Sequence, residues 1–264
     1  MPTIVFLDLD NTFWTDDGVP DTALEAVRRA QAKGHLVFSN TGRTRGGCRP
    51  LRRYELDGYC YGAGTEAYLG GERIVDSPLG IEASRELCSL LDVGEGIIIA
   101  EGSERCFVHA YDQAKYDEIY ERCAKVDDPY IDWPDIATMS DDDHAQVYKY
   151  TLWAPDEILD DMQHRLPADI TQTVMGVAAD YTQTRHSKAT ILDTVRTTIG
   201  KLKGMDYETV AFGDSGNDIP MLHAADTSVA MGNATDDAKA IADYVAPDIL
   251  DDGLLHGFEQ IGLI

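Results

Sequence analysis

The chain opens on Ile4-Val-Phe-Leu7, a continuous apolar run rich in β-branched and aromatic residues. Such a run, stopped by polar residues, predicts a buried strand. It stops on Asp8, Asp10 and Thr12. The apolar spacing then changes. Asp21 is placed as an N-cap, Thr22 to Lys33 carries Leu24, Val27 and Ala30 at helical intervals, and Gly34 ends the helix. A second strand, His35 to Phe38, runs into Ser39-Asn-Thr-Gly-Arg43. Strand, helix and strand in this order predict a βαβ unit, and so a parallel sheet with a right-handed crossover. Ligands of such sheets bind beyond the carboxyl ends of the strands. Asp8, Asp10 and the Thr41-Gly42-Arg43 loop share that edge.

Further along, Tyr59 to Ala63 reads as a short strand, and Ala67 to Val75 as a hairpin turning at Gly70-Gly71. From about Ile81 the alternation gives way to another pattern. Glu82–Leu91, Asp112–Cys123 and Pro155–Leu166 read as helices. Gly96–Ala100, Arg105–Ala110, Gln146–Trp153, Ile170–Val174 and Ala178–Thr182 read as strands, with a polar loop over Asp127–Asp143. Locally paired strands with a few helices predict an inserted α+β domain. The βα alternation resumes with a helix over Ser187–Gly200 and a strand over Thr209–Phe212, which runs into Gly213-Asp-Ser-Gly-Asn-Asp218. Helices over Ile219–Ala225 and Asp236–Ala242, strands at Ser228–Met231 and Tyr244-Val245, and a final helix from Gly253 complete it. The fold class expected is α/β: a doubly wound, Rossmann-like, mostly parallel sheet over residues 1–81 and 184–264, with an inserted α+β cap domain over 82–183.

Composition narrows the function classes. A net charge of -25 sets the chain against nucleic acid and anionic membrane, both polyanions. It also means that any phosphate site needs positive charge supplied locally. The five cysteines are odd in number and lack a Cys-x-x-Cys pair, which fits neither a disulfide framework nor a zinc pattern. A reducing, cytoplasmic setting is expected. The N-terminus has no basic start, and no apolar run approaches a membrane span, so neither signal peptide nor membrane segment is expected. The arginines between Arg43 and Arg53 read mostly as a solvated face.

Four polar clusters follow, or lie close to, elements of the parallel sheet: Asp8/Asp10/Thr12, Thr41-Gly42-Arg43, Lys188, and Asp214/Asn217/Asp218. Singly, each has a plain reading as a turn, a cap or a solvated lysine. Together they assemble what phosphoryl transfer needs. Carboxylates offer hard oxygen ligands to a small cation such as magnesium. Thr41 and nearby backbone N–H groups can hold phosphate oxygens. Lys188 supplies positive charge, and a carboxylate can act as nucleophile.

The same residues carry a resemblance to a known family. Asp8-Leu-Asp-Asn-Thr12, Thr41-Gly-Arg43, Lys188 and Gly213-Asp-Ser-Gly-Asn-Asp218 resemble, in order, the four motifs of the haloacid dehalogenase superfamily. Their spacing, the insert, and the late Tyr244-Val-Ala-Pro and Asp252-Gly-Leu are most similar to its Cof-type phosphatases. The resemblance covers both ends of the chain and is weak in the insert.

It implies a magnesium-dependent phosphatase of small phosphorylated metabolites. Asp8 would be the nucleophile and Asp10 the general acid and then base. Thr41, Gly42, Lys188 and Asn217 would hold the phosphoryl group. Asp8, Asp10 through its backbone carbonyl, Asp214 and Asp218 would serve the Mg2+ ion, Asp218 through water or by holding Lys188. The insert would form a cap over the site and set specificity.

The chain departs from the family at Asn11, where glycine is common, and at Phe13-Trp14, where small aliphatics are common; Phe13-Trp14 is expected to reshape the entrance. Glu101, Ser103 and His109 read as surface or strand residues, and Tyr111, Tyr148 and Trp153 as cap core. Two other readings stay open: a phosphomutase, and a non-catalytic phosphometabolite-binding protein on the same fold. The sequence points to no oligomeric partner.

Overall fold

The computed structural model describes residues 2–126 and 133–264, and the chain forms two compact units. The first strand, β1 (Thr3–Leu7), is buried along its whole length, as its unbroken apolar run requires of a central parallel strand. It is followed by α1 (Asp21–Ala32), β2 (Leu36–Asn40), β3 (Gly58–Tyr61), β4 (Glu66–Leu69) and β5 (Glu72–Asp76). The middle of the chain supplies α2 (Ile81–Leu91), β6 (Ile97–Gly102), β7 (Cys106–Ala110), α3 (Gln113–Val126), α4 (Asp141–His144), β8 (Val147–Trp153), α5 (Asp156–Gln163), β9 (Ile170–Met175) and β10 (Ala178–Gln183). The chain then adds α6 (Lys188–Lys203), β11 (Glu208–Gly213), α7 (Ile219–Ala224), β12 (Thr227–Ala230), α8 (Asp236–Ile241), β13 (Tyr244–Val245) and α9 (Gly253–Gln260).

The first unit comprises residues 1–42, 53–76 and 186–264. Its sheet runs β13-β12-β11-β1-β2-β3-β4-β5, parallel from β13 to β3 and antiparallel across the β4–β5 hairpin. This is the doubly wound, mostly parallel α/β fold. Register fixes the edge that matters. Leu7 pairs with Phe212 on one side and Ser39 on the other, so Asp8, Asn40–Thr41 and Gly213–Asp214 all leave the sheet at the same carboxyl edge. Phe6 against Phe38, and Phe212 against Phe258 of α9, fill the core beneath it.

Two local expectations differ. The strand expected to reach Ala63 ends at Tyr61, because Ala63 takes a left-handed backbone (φ 52°) that a strand cannot hold. The polar loop expected over Asp127–Asp143 contains α4, capped by Ser140, and a short 3-10 turn at Ile136–Thr138; its residues 127–132 lie outside the described residues.

The second unit comprises residues 43–52 and 77–185. Residues 43–52, assigned from the sequence to the core domain, pack instead with the inserted segment. Thr44 Oγ1 donates to Glu101 Oε2 (3.0 Å), Gly46 N–H to the Gly102 carbonyl (3.2 Å) and the Arg49 guanidinium to the Glu104 carbonyl (2.6 Å), while Arg45 pairs with Glu104. Arg49, Arg52 and Arg53 are exposed, as a solvated face requires.

The strands of this unit pair antiparallel in the order β7-β6-β8-β10-β9. Ile98, Phe107, Tyr150, Leu152, Ala179 and Tyr181 belong to one apolar core with residues of α2 and α5. Among the sequence expectations, Tyr148 is buried, but Tyr111 is largely exposed and bonds Asp92.

Alternating positions of β6, β8 and β10 carry a buried ionic group. Lys149 Nζ donates to Asp180 Oδ2 (2.7 Å) and lies 3.2 Å from Glu101 Oε1. Thr151 Oγ1 is 2.6 Å from Glu101 Oε1 and 2.7 Å from Asp180 Oδ1. A hydroxyl has one hydrogen to give, so one of these carboxyls must supply the other. Burial raises the Asp180 carboxyl above the usual range, with Glu101 adding to it and Lys149 opposing it. Lys149 is the cation that makes the group tolerable, and removing it leaves buried acid unpaired. Lys149→Met is expected to destabilise the chain by about 3–5 kcal/mol in equilibrium urea unfolding. A cost under about 1 kcal/mol, that of an exposed pair, would contradict this account.

Candidate active site

The site is built at the carboxyl ends of β1 and β11 from residues of the first unit. β1 is anchored to β11 through the Asp8 N–H, which donates to the Phe212 carbonyl (2.9 Å), so Asp8 is the last residue held by the sheet. The loop after it closes tightly. The N–H groups of Phe13 and Trp14 both donate to the Leu9 carbonyl (3.0 Å each), and Asn11 N–H to the Trp14 carbonyl (2.9 Å). This turn puts Asn11 at φ 58°, a conformation that asparagine adopts far more readily than most residues and that the commoner glycine would also take.

Lys188 is the first residue of α6, which Ser187 starts with a reciprocal capping box to Thr190. The Lys188 side chain is buried and reaches two carboxylates at once: Asp8 Oδ1 at 2.5 Å and Asp218 Oδ1 at 2.6 Å. Burial alone would push its ammonium down; Asp218 and Asp8 outweigh that and hold it above the ordinary lysine value. It is therefore a fixed positive charge.

Asp218 does two things. Its other oxygen, Oδ2, accepts from the N–H groups of Asp214 (3.0 Å) and Ser215 (3.1 Å), which folds the loop after β11. Gly213 makes this possible, since a Cβ there would meet the Asp218 side chain at 2.6 Å. Asn217 Oδ1 accepts from Ser215 Oγ (2.9 Å) and lies 3.5 Å from Lys188 Nζ.

Asp8, Asp214 and Asp218 each present an oxygen within 4.8 Å of the others. Three acids face Lys188, and the crowding acts on the Asp8 and Asp214 carboxyls. Burial, then Asp218, raises the Asp8 carboxyl well above its usual range despite Lys188. Burial and Asp218 likewise push Asp214 up to about 6, against bonds from Asp8 and Thr12, whose Oγ1 lies 3.3 Å from Asp214 Oδ1. Carboxylates crowded this way need a proton or a cation between them. Hard oxygen donors at a dry strand end fit a small divalent cation such as magnesium, which takes one or two carboxylates and keeps other oxygens for water and substrate.

The remaining residues named from the sequence are placed as follows. Thr41 is buried just beyond β2; its N–H donates to the Cys60 carbonyl, and its own carbonyl accepts from Ala63 N–H (3.0 Å each). Gly42 follows it, half-buried. The Asp10 carboxyl stands outside the three-carboxylate group and accepts from the Trp14 indole Nε1 at 3.1 Å. Phe13 and Trp14, expected to reshape an entrance, are instead buried, Phe13 against the edge of Tyr54.

Sequence reasoning missed Asn40, whose amide donates to the Lys188 carbonyl (2.8 Å) and ties β2 to the start of α6. It also missed the loop after β12. There Asn233 Nδ2 donates to the Asn11 carbonyl (2.8 Å), and Thr235 N–H to the Asp214 carbonyl (2.8 Å). The available signal was the carboxyl-edge rule, which applies to β12 as it does to β1 and β11.

The sequence matches the family described as haloacid dehalogenase-like hydrolase over residues 5–258. It is 25% identical to YkrA of Bacillus subtilis (strain 168) over 265 residues, 99% of this chain and 98% of that one. It is also 25% identical to the 5-amino-6-(5-phospho-D-ribitylamino)uracil phosphatase YcsE of the same organism, over 95% of this chain and 92% of the relative. Among solved structures, the HAD subclass IIB sugar phosphatase BT4131 superposes with a TM-score of 0.81 at 26% identity, covering 99% of this chain and all of the other. Among the described residues, no helix is long and apolar enough to cross a membrane.

Proposed function

The chain belongs to the haloacid dehalogenase-like hydrolases, and from that premise we propose that it hydrolyses small phosphomonoesters through an aspartyl-phosphate on Asp8, with magnesium bound beside it. The observation that carries this reading is the clamp of Lys188 between Asp8 and Asp218, with Asp214 alongside. It combines a buried nucleophile, a fixed cation and an acidic donor set at one strand end.

Lys188 holds Asp8 through Oδ1 and so orients the carboxylate that attacks phosphorus. As the ester bond breaks, Asp10 gives its proton to the leaving alcohol. Asp10 then takes a proton from water as that water attacks the phosphorus on Asp8, releasing phosphate and restoring the carboxylate. Thr41, Gly42 and the Asn217 amide hold phosphoryl oxygens, and Lys188 offsets their charge. Asp8, Asp214 and the Asp10 backbone carbonyl would hold the magnesium ion, which when bound draws negative charge away from the phosphoryl oxygens. Both Asp218 oxygens already accept protein donors, so Asp218 is assigned to holding Lys188 and the loop. Selection among phosphomonoesters is assigned to the inserted unit, because the residues named at the strand ends serve the phosphoryl group, the leaving oxygen, the metal and the loop that holds them.

Phosphate release from a panel of sugar phosphates, with magnesium and then with a chelator, tests the reading. Release is expected with magnesium, lost on chelation and restored by adding the ion back. Saturable binding of a panel member without phosphate release would make the protein a binder. Phosphoryl transfer between sugar positions, activated by a bisphosphate, would make it a mutase.

A further inference from the structure

We propose that Asn40 is a positioning residue for Lys188: its buried amide fixes the first turn of α6 against β2 and so sets where the ammonium meets Asp8 and Asp218. The proposal rests on the role given to Lys188 above. Three observations carry it. Asn40 is the last residue of β2, 0% exposed, and its Nδ2 donates to the Lys188 carbonyl at 2.8 Å. The same nitrogen lies 3.1 Å from Met221 Sδ of α7, while Oδ1 is buried with no protein hydrogen-bond partner among the described residues. Gly64, shortly after β3, brings backbone against the same helix start: a Cβ there would meet the Ser187 carbonyl at 2.6 Å.

A backbone carbonyl only accepts, so the amide atom that faces Lys188 is the nitrogen. Stability does not explain the arrangement. Lys188 opens α6, and a helical carbonyl already faces the N–H four residues on. The Asn40 bond is therefore a second one to an oxygen already served. The amide also brings in a buried acceptor without a partner, which costs stability. An apolar side chain of the same size would avoid that cost and fill the space. What it could not do is fix the distance of the Lys188 backbone from the sheet. Asp8 leaves β1, the strand paired with β2, at the same edge. A tie from β2 to α6 thus holds both ends of the Lys188–Asp8 contact in one frame.

The test separates position from packing. Wild type, Asn40→Leu, Asn40→Ala and Met221→Leu are compared by kcat on a sugar phosphate that the wild type hydrolyses, and by thermal midpoint. Asn40→Leu keeps the bulk and removes the donor. It is expected to lower kcat by about 10- to 100-fold, the upper end being the cost of a roughly 1 Å misplacement. Its midpoint is expected to stay within about 2 °C of the wild type or to rise. Asn40→Ala adds no bulk and is expected to lower kcat to the same extent, so the result does not depend on leucine fitting the site. Met221→Leu disturbs the same packing, conserves volume and keeps the bond to Lys188, and is expected to hold kcat within about 2-fold. A fall in kcat as large in Met221→Leu as in Asn40→Leu, or wild-type kcat in both Asn40 variants, would overturn the proposal.

A second readout needs no turnover, and so separates this proposal from failure of the underlying reading. Each folded protein is treated briefly with acetic anhydride, and acetylation of Lys188 is read by peptide mapping relative to Lys149, which is also buried but lies in the second unit. The Lys188 to Lys149 ratio is expected to rise several-fold in both Asn40 variants, as the ammonium leaves its two carboxylates more often, and to stay at the wild-type value in Met221→Leu. An unchanged ratio in the Asn40 variants would mean that the amide does not seat Lys188, and the proposal falls. If the wild type releases no phosphate with magnesium while the ratio rises as expected, the seating of Lys188 stands and the phosphatase reading is what fails.

Discussion

Asp8→Asn is expected to lower phosphomonoester turnover by about 10⁴-fold or more, the scale of removing a nucleophile from a site whose other groups act only with it. The amide keeps the shape and can still accept from Lys188, but it cannot form the acyl phosphate. Stability should move the other way, or not at all. Burial and Asp218 raise the Asp8 carboxyl well above its usual range, so the folded protein already holds this group against its preference for water. Replacing it with a neutral amide relieves that conflict while Asp218 still pairs Lys188. The check is a pair of measurements on one preparation: turnover with magnesium, and the thermal midpoint. Loss of activity with an unchanged or raised midpoint separates chemistry from folding. A variant that keeps full turnover would remove Asp8 from the mechanism.

Lys188→Met is expected to fail on both counts. The ammonium is the cation that contacts Asp8 and Asp218, and the side chain is 3% exposed. Taking it away leaves buried carboxylates facing one another, a loss on the order of 3–5 kcal/mol. For a chain of this size that is roughly 6–20 °C in thermal midpoint. Turnover should also vanish, because the Lys188 charge no longer meets the phosphoryl oxygens. The electrostatic origin has its own signature: magnesium should raise the variant's midpoint by more than it raises the wild type's. A midpoint within about 2 °C of the wild type, or no difference in the response to magnesium, would contradict the clamp.

The parts of the fold legible in the sequence were those set by local pattern. β1 and β11 are continuous apolar runs because both faces of a central parallel strand are covered, and each is followed at once by aspartate. Alternation of strand and helix then placed Asp8, Thr41 and Asp214 at one edge without any long-range information. Lys188 was found through resemblance and through the need for a positive charge in an acidic chain, not through any local pattern.

What stayed hidden is long-range or polar. Residues 43–52 belong with the inserted unit because Thr44 bonds Glu101 and Gly46 bonds Gly102, partners more than fifty residues away that no periodicity reports. Asn40 and Asn233 act by donating to backbone carbonyls of distant loops, which leaves no composition signal. Glu101, read as a surface or strand residue, and Lys149, in an alternating strand, proved buried together with Asp180. A charged side chain in an alternating strand suits a wet face as well as a buried pair, and only the partner decides. Trp14 misled in the opposite direction: bulk at that position suggested an effect on access, whereas its one polar atom is directed at Asp10.

The central claim is that the phosphoryl group passes through Asp8, and chemical trapping tests it most directly. The full chain with magnesium is mixed with a phosphomonoester that it turns over, quenched in acid during turnover and treated with borohydride, which reduces an acyl phosphate to the alcohol. The account predicts homoserine in place of aspartate at position 8 in the peptide map, and none in the Asp8→Asn variant. Homoserine at another aspartate, or no reduction at Asp8 across quench times that span the turnover, would contradict it.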